Sequence, residues 1–166
     1  MVEDPTSRPP VAGLTHLNER GQMHMVDVGE KASTHRVAVA EARVLLGAEA
    51  RRVLEAGEGK GDVMAAARFA GITAAKKTSE LIPLCHPLGL SHVAVEITPQ
   101  SWGLLVEARA ETHGPTGVEM EAMTAASVAA LTIYDMLKAV ERGIVVEGIA
   151  LVEKLGGRSG HWRRAP

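Results

Sequence analysis

The stretch 112-THGPTGVEMEAMTAASVAALTIYDMLKAVERG-143 holds the pattern around which the rest of the chain is arranged. Thr116 and Glu119 stand at the T-x-x-E spacing of a capping box, and Gly143 supplies a stop. Together they predict a helix over 117–141, about seven turns at 3.6 residues each. Its middle, AASVAA, is small enough for another backbone to approach closely. At about 100° per residue, Glu121 and Asp135 fall within roughly 40° of one face, and Thr124, Val128 and Leu131 share the stripe. Lys138 is the i,i+3 neighbour of Asp135. A stripe with Glu, Asp and Lys among apolar and small residues is either a solvated edge or a polar site walled by protein.

The flanks are read outward from this helix. IVVEGIALVEKL (144–155) is strand-like. Upstream, SHVAVEITP (91–99) and WGLLVEARAE (102–111) flank a short turn at 100–101 and form a hairpin. THRVAVAEARVLL (34–46) alternates as a strand does. AEARRVLEA follows Gly47 as a short helix closed by Gly57. Asp62 can cap a longer helix through VMAAARFAGITAAKKTSELI (63–82), which Pro83 ends. The order β, helices, ββ, long α, β predicts an α+β, ferredoxin-like split βαβ sandwich. Its antiparallel-containing four-stranded sheet would carry helices on one face. The segment 156-GGRSG-160 is expected as a loose tail.

A chain of 166 residues suits one domain with a real core. We expect a flexible arm over 1–13, a single domain over 14–160 and a C-terminal tail over 161–166. Aromatic residues are only 2% of the chain, so the core must be built from closely packed aliphatic side chains. A net charge of −2 argues against nucleic-acid binding driven by overall basicity. No apolar run approaches the ~20 residues of a membrane span. The first residues lack the order of a signal peptide. One cysteine permits no internal disulfide and fits a reducing cytoplasm.

Several short segments can carry chemistry. GEGKGD (57–62) is not a Walker A motif, because Lys60 is followed by Gly61 and the upstream glycine is replaced by Leu54. Glycines around a lysine before a helix still suit an anion, although an ordinary turn has the same composition. Lys76 and Lys77 either answer a helix C-terminal dipole or serve an anion. Lys154 before GGRSG is equally open. Asp135–Lys138 reads alone as a surface ion pair contributing less than ~1 kcal/mol. Glu119 reads most simply as the capping-box partner of Thr116. LIPLCHPLGL (81–90) places Cys85 and His86 on a proline-stiffened apolar loop. The seven histidines show no metal-ligand spacing, so no metal is expected. Cys85 suits packing, and His86 is left as a donor or acid–base group.

Four segments, 15-THLNERGQMHMVDV-28, 60-KGDVMAAARFAGITAAKKTSELIPLCHPL-88, 116-TGVEMEAMTAASVAALTIYDMLKAV-140 and 154-KLGGRSG-160, closely resemble the molybdenum cofactor biosynthesis protein C family. The resemblance covers about residues 14–160. It implies a ferredoxin-like subunit, a homohexamer built as a trimer of dimers, and an active site at the dimer interface. It implies a lyase that turns a cyclised dihydro-GTP into a cyclic pyranopterin monophosphate and expels pyrophosphate. Carried over by residue, it implies Asp135, Lys138 and Lys60 as catalytic. Leu84, Cys85, His86, Met120 and Glu121 would contact substrate, and Glu119, Lys76, Lys154 and Arg36 would line the pocket. No cofactor is required by the sequence, and Mg²⁺ is expected only as the usual companion of a triphosphate. A lysine in a low-dielectric cleft, oriented by a carboxylate, would lose its proton more easily. Two other classes stay open on the residues alone. One is a non-catalytic nucleotide-sensing module of the same fold. The other is a metal-binding protein using Cys85 and histidines.

Overall fold

The computed structural model describes residues 16–18, 20–57, 61–157 and 160–165. The arm expected over 1–13, Lys60, and Arg158 and Ser159 of GGRSG lie outside the described residues. The elements run β1 (Thr34–Leu45), α1 (Ala48–Glu55), α2 (Val63–Ala75), α3 (Thr78–Leu81), β2 (Leu90–Gln100), β3 (Gly103–Gly114), α4 (Glu119–Leu137), β4 (Val145–Leu155) and β5 (Trp162–Arg163). The sheet order is β2-β3-β1-β4-β5, and every neighbouring pair is antiparallel. β1 and β2 therefore run parallel with β3 between them, and β3 and β4 run parallel with β1 between them. These are the two interleaved βαβ units of the ferredoxin-like plan.

The alternation of β1 shows why the helices lie where they do. Ala38, Ala40, Ala42 and Val44 are wholly buried, and their β3 partners in register are Ala110, Ala108, Val106 and Leu104. Val95 and Ile97 of β2 continue the same apolar face beyond Ala108 and Val106. α2 and α4 pack on this face and against each other. Most residues at the contact are small: Ala67, Gly71, Ala74 and Ala75 on α2, and Ala122, Ala125, Ala126, Ala129 and Ala130 on α4. Small side chains let the helices approach closely, so the core needs almost no aromatic bulk.

Gly71 marks the closest approach. A Cβ there would lie 2.9 Å from the carbonyl oxygen of Ala125, 3.1 Å from Val95 Cγ2 and 3.2 Å from Ala129 Cβ. Gly71→Val should therefore force α2 from α4 and cost about 3 kcal/mol, the upper end for overpacking. A thermal melt no lower than the parent's would show that the helices part here without cost.

Three local expectations are corrected. The helix expected over 63–82 breaks at Lys76–Lys77. The Lys77 amide bonds back three residues to the Ala74 carbonyl, tightening the turn, and the buried Thr78 hydroxyl donates to the Ala75 carbonyl at 3.0 Å. The sheet expected to have four strands has five, because β5 pairs with β4 through Trp162 and Arg163. His161 sits 2.6 Å from Glu153, and the Arg164 amide donates to the Val152 carbonyl. The capping box does not form. Val118 is the N-cap of α4 and no side chain caps it. Glu119 instead accepts from Lys154 Nζ at 2.7 Å, a charge-assisted bond that outcompetes a neutral backbone amide. Asp62 does cap α2, accepting from the Ala65 amide at 2.9 Å. α1 is capped from elsewhere: Glu141 accepts from the Gly47 and Ala50 amides at 3.0 and 3.3 Å.

Candidate functional site

Three pieces of chain meet at the start of α4. The first is the loop after α3, where the Cys85 amide bonds the Ile82 carbonyl at 3.0 Å and Pro83 and Pro87 restrict the backbone. The second is Thr116–Gly117 and the first turn of α4. The third is the segment before β1, tied into a turn by the Leu17–Met23 bridge and by the Asn18 side chain, which accepts from the Arg20 and Gln22 amides. Between them lies a cavity of about 260 Å³. Leu84, Cys85, His86 and Leu88 form one wall, and Thr116, Gly117, Glu119, Met120 and Glu121 form the second. His16, Val26, Val28 and Lys31 form the third.

Glu121 is the unusual group. It is 4% exposed, although its neighbour in the sequence, Met120, stays half-buried. Burial pushes its carboxyl up to about 7, and the nearby Glu119 adds to the rise. A hydrogen bond from its own backbone works against the shift but is outweighed. The helix dipole also favours the charged form, by typically 0.3–1 kcal/mol, too little to offset desolvation. Cys85 is pushed above the ordinary thiol range, first by burial and then by the charge of Glu121. It is a thiol at neutral pH and not an activated nucleophile.

Positive charge stands at the rim. Lys31 lines the cavity. Lys154 reaches it through Glu119, with both side chains about a quarter exposed. Arg36 on β1 donates to the Pro115 carbonyl, and its Nε is buried with no partner among the described residues. Gly156 and Gly157 pass beside this guanidinium at φ 96° and 74°, where any Cβ on Gly157 would overlap it.

The structure thus gathers Leu84, Cys85, His86, Glu119, Met120 and Glu121 around one cavity, with Lys154 and Arg36 beside it. It does not bring Lys76 there. Lys76 lines a second hollow, with Ile72, Ser91 and His92, beyond Leu88, which borders both. Asp135 and Lys138 are ion-paired at the far end of α4, with side chains 68% and 52% exposed. Fourteen residues separate Asp135 from Glu121, about 21 Å along the helix axis at 1.5 Å per residue. The stripe read from the helix is both things it could be. It is walled by protein at Glu121 and Thr124, and open at Leu131 and Asp135. Within one chain Lys138 is also not the readily deprotonated amine expected of it. The Asp135 carboxylate, by hydrogen bond and by charge, holds it above the ordinary lysine range.

Sequence reasoning missed the third wall. His16, Val26 and Val28 lie in the segment 15–28 that carries the resemblance, with no role implied for them, and Lys31 is not singled out. Among the described residues no group of three or more His, Cys, Asp or Glu could hold a metal ion. Among them, too, no helix is long and apolar enough to cross a membrane.

With this geometry in place, two comparisons bear on the chain. Residues 25–157 match the profile of the MoaC family. A protein of Thermomicrobium roseum described as a cyclic pyranopterin monophosphate synthase is 60% identical over 157 residues, covering 93% of this chain and 95% of the relative.

Proposed function

The chain belongs to the MoaC family, and on that premise we propose that it is a cyclic pyranopterin monophosphate synthase of molybdenum cofactor biosynthesis. This lyase would convert (8S)-3',8-cyclo-7,8-dihydroguanosine 5'-triphosphate to cyclic pyranopterin monophosphate and release pyrophosphate. The observation that carries the reading is the cavity at the start of α4. It sets a buried carboxyl that titrates near neutral pH beside His86, under a rim of Lys31, Lys154 and Arg36.

The chemistry asks for both features. Opening and re-forming a purine-derived ring needs an acid and a base; Glu121, pushed up to about 7, can exchange a proton near neutral pH, and His86 shares the same cavity. Closing the cyclic phosphate requires a sugar hydroxyl to attack the α-phosphorus while pyrophosphate leaves with the electron pair of the broken P–O bond. Fixed cations stabilise that charge. The uncapped start of α4 adds backbone amides suited to an anion. No resident cofactor is proposed, and the triphosphate is taken with its customary Mg²⁺.

Asp135 and Lys138 complete the site from a second protomer, in a homohexamer arranged as a trimer of dimers. The distance along α4 supports this, as do the exposed apolar side chains of Phe69 (74%) and Leu131 (58%) on the helix layer. Lys138, kept charged by Asp135, acts there as a phosphate or transition-state cation, and Lys60 as the second essential lysine. The enzyme works in the cytoplasm.

Pyrophosphate release from the cyclised triphosphate tests the activity itself. A chain that binds this compound without releasing pyrophosphate is a sensor and not an enzyme. Asp135→Asn should slow release by about 100-fold or more. Its melt should match the parent's, because asparagine keeps the shape of the side chain and the ion pair with Lys138 contributes less than ~1 kcal/mol. Native turnover in that variant would remove Asp135 from the mechanism.

A further inference from the structure

His86 Nε2 lies 2.8 Å from the backbone carbonyl oxygen of Val26. The two residues are sixty positions apart, on opposite walls of the cavity. A carbonyl oxygen has lone pairs and no hydrogen, so the contact is a hydrogen bond only if Nε2 carries the proton. In a neutral imidazole the other nitrogen is then unprotonated. Among the described residues Nδ1 has no hydrogen-bond partner.

We infer that the Val26 carbonyl is a positioning group that holds His86 as the Nε2–H tautomer and leaves Nδ1 as the nitrogen that takes a proton from substrate. The inference rests on the reading of this cavity as the substrate site. In the step it assigns, the proton moves from substrate to Nδ1, and the electron pair of the broken bond stays on substrate. The resulting imidazolium keeps Nε2–H on the Val26 carbonyl, so the ring is held through the transfer and nothing need turn. The same carbonyl explains why the segment before β1 belongs to the site. Val26 and Val28 line the cavity, and Val26 orients the base by its backbone. It also separates two roles. Glu121, held largely protonated up to about 7, is the group that starts with a proton to give, and His86 is the group that starts with a lone pair.

Nitrogen-15 NMR of the full chain, labelled at histidine and free of substrate, reads the tautomer directly. With the ring neutral, the expected spectrum has a protonated Nε2 and a bare Nδ1 at His86. A protonated Nδ1, or an even mixture, overturns the inference. Because no substrate is present, that failure would leave the proposed reaction untouched. Conversely, absence of pyrophosphate release would not alter the spectrum. A variant pair gives the functional arm. In His86→Gln the side-chain amide can still donate to Val26 but offers no base. It should keep the parent's melt and KM and lose about 100-fold or more in kcat. Turnover within a few-fold of the parent's in His86→Gln would overturn the assignment of Nδ1 as the base.

Discussion

Glu121→Gln will melt higher than the parent protein at pH 8, melt at nearly the same temperature at pH 4.5, and turn over almost no substrate. The stability half follows from linkage. The carboxyl has an ordinary value of 4.5 and is pushed up to about 7 by the fold, so the folded state holds a proton that the unfolded chain releases. Below 4.5 both states are protonated, and burying a neutral acid costs little. Between 4.5 and 7 the folded state binds more protons than the unfolded, and stability falls as pH rises. Above 7 the folded protein keeps an ionised carboxylate in a site that is 4% exposed. At 1.36 kcal/mol per pH unit the accumulated cost is about 3 kcal/mol. Glutamine fills nearly the same volume and never ionises, so it recovers that cost at pH 8 and nothing at pH 4.5. The activity half follows from the same displacement. A group poised near neutral pH is there to exchange a proton, and its loss should cost about 100-fold to 10,000-fold in turnover. Melts of both proteins at the two pH values, with pyrophosphate release at pH 7–8, check the two halves together. A difference in melting that does not vary with pH would show that Glu121 is not held against ionisation. Native turnover would show that its proton is not used.

The residues that were legible in the sequence are those whose behaviour is decided nearby. Residues 34–46 announce a strand because Ala38, Ala40, Ala42 and Val44 must all face one helix layer. Asp62 announces a cap because its amide partner is three residues away. The i,i+3 pairing of Asp135 and Lys138 is a property of the helix itself. The misreadings all involve a distant competitor. Glu119 was expected to cap its own helix, but Lys154, thirty-five positions away, offers a full charge. Trp162 and Arg163 become a strand only because the edge of β4 is open to them. Lys76, which the resemblance implies at the pocket, lines a neighbouring hollow in the single chain, with Leu88 bordering both. The burial of Glu121 was out of reach for the same reason. A helical wheel places it beside Asp135, and the walls raised by 16–31 and 84–88 make one of them buried and leave the other exposed.

Mixing two dead variants should restore activity. His86→Ala lacks a group on the cavity side of the site, and Lys138→Ala lacks one at the far end of α4. Groups that act on one reacting centre must come within hydrogen-bond reach of it, about 3 Å. In a single chain the cavity and the Asp135–Lys138 pair are separated by about 21 Å of helix axis, so one substrate cannot use both. In a two-fold dimer it can, because each site then takes its cavity from one protomer and its ion pair from the other. A dimer with one His86→Ala and one Lys138→Ala subunit has one site with both defects and one with neither. Random pairing makes half the dimers mixed, so about a quarter of the parental turnover should return on co-refolding. Each variant alone should stay inactive while keeping its melt. Lys60→Ala can then be sorted by the same means: it will complement His86→Ala if it works with the ion pair, and Lys138→Ala if it works with the cavity. Recovery no greater than the sum of the separate variants would mean that each chain carries its own complete site. Full turnover in Lys138→Ala alone would be the result that leaves Asp135 and Lys138 a surface ion pair with no part in the reaction.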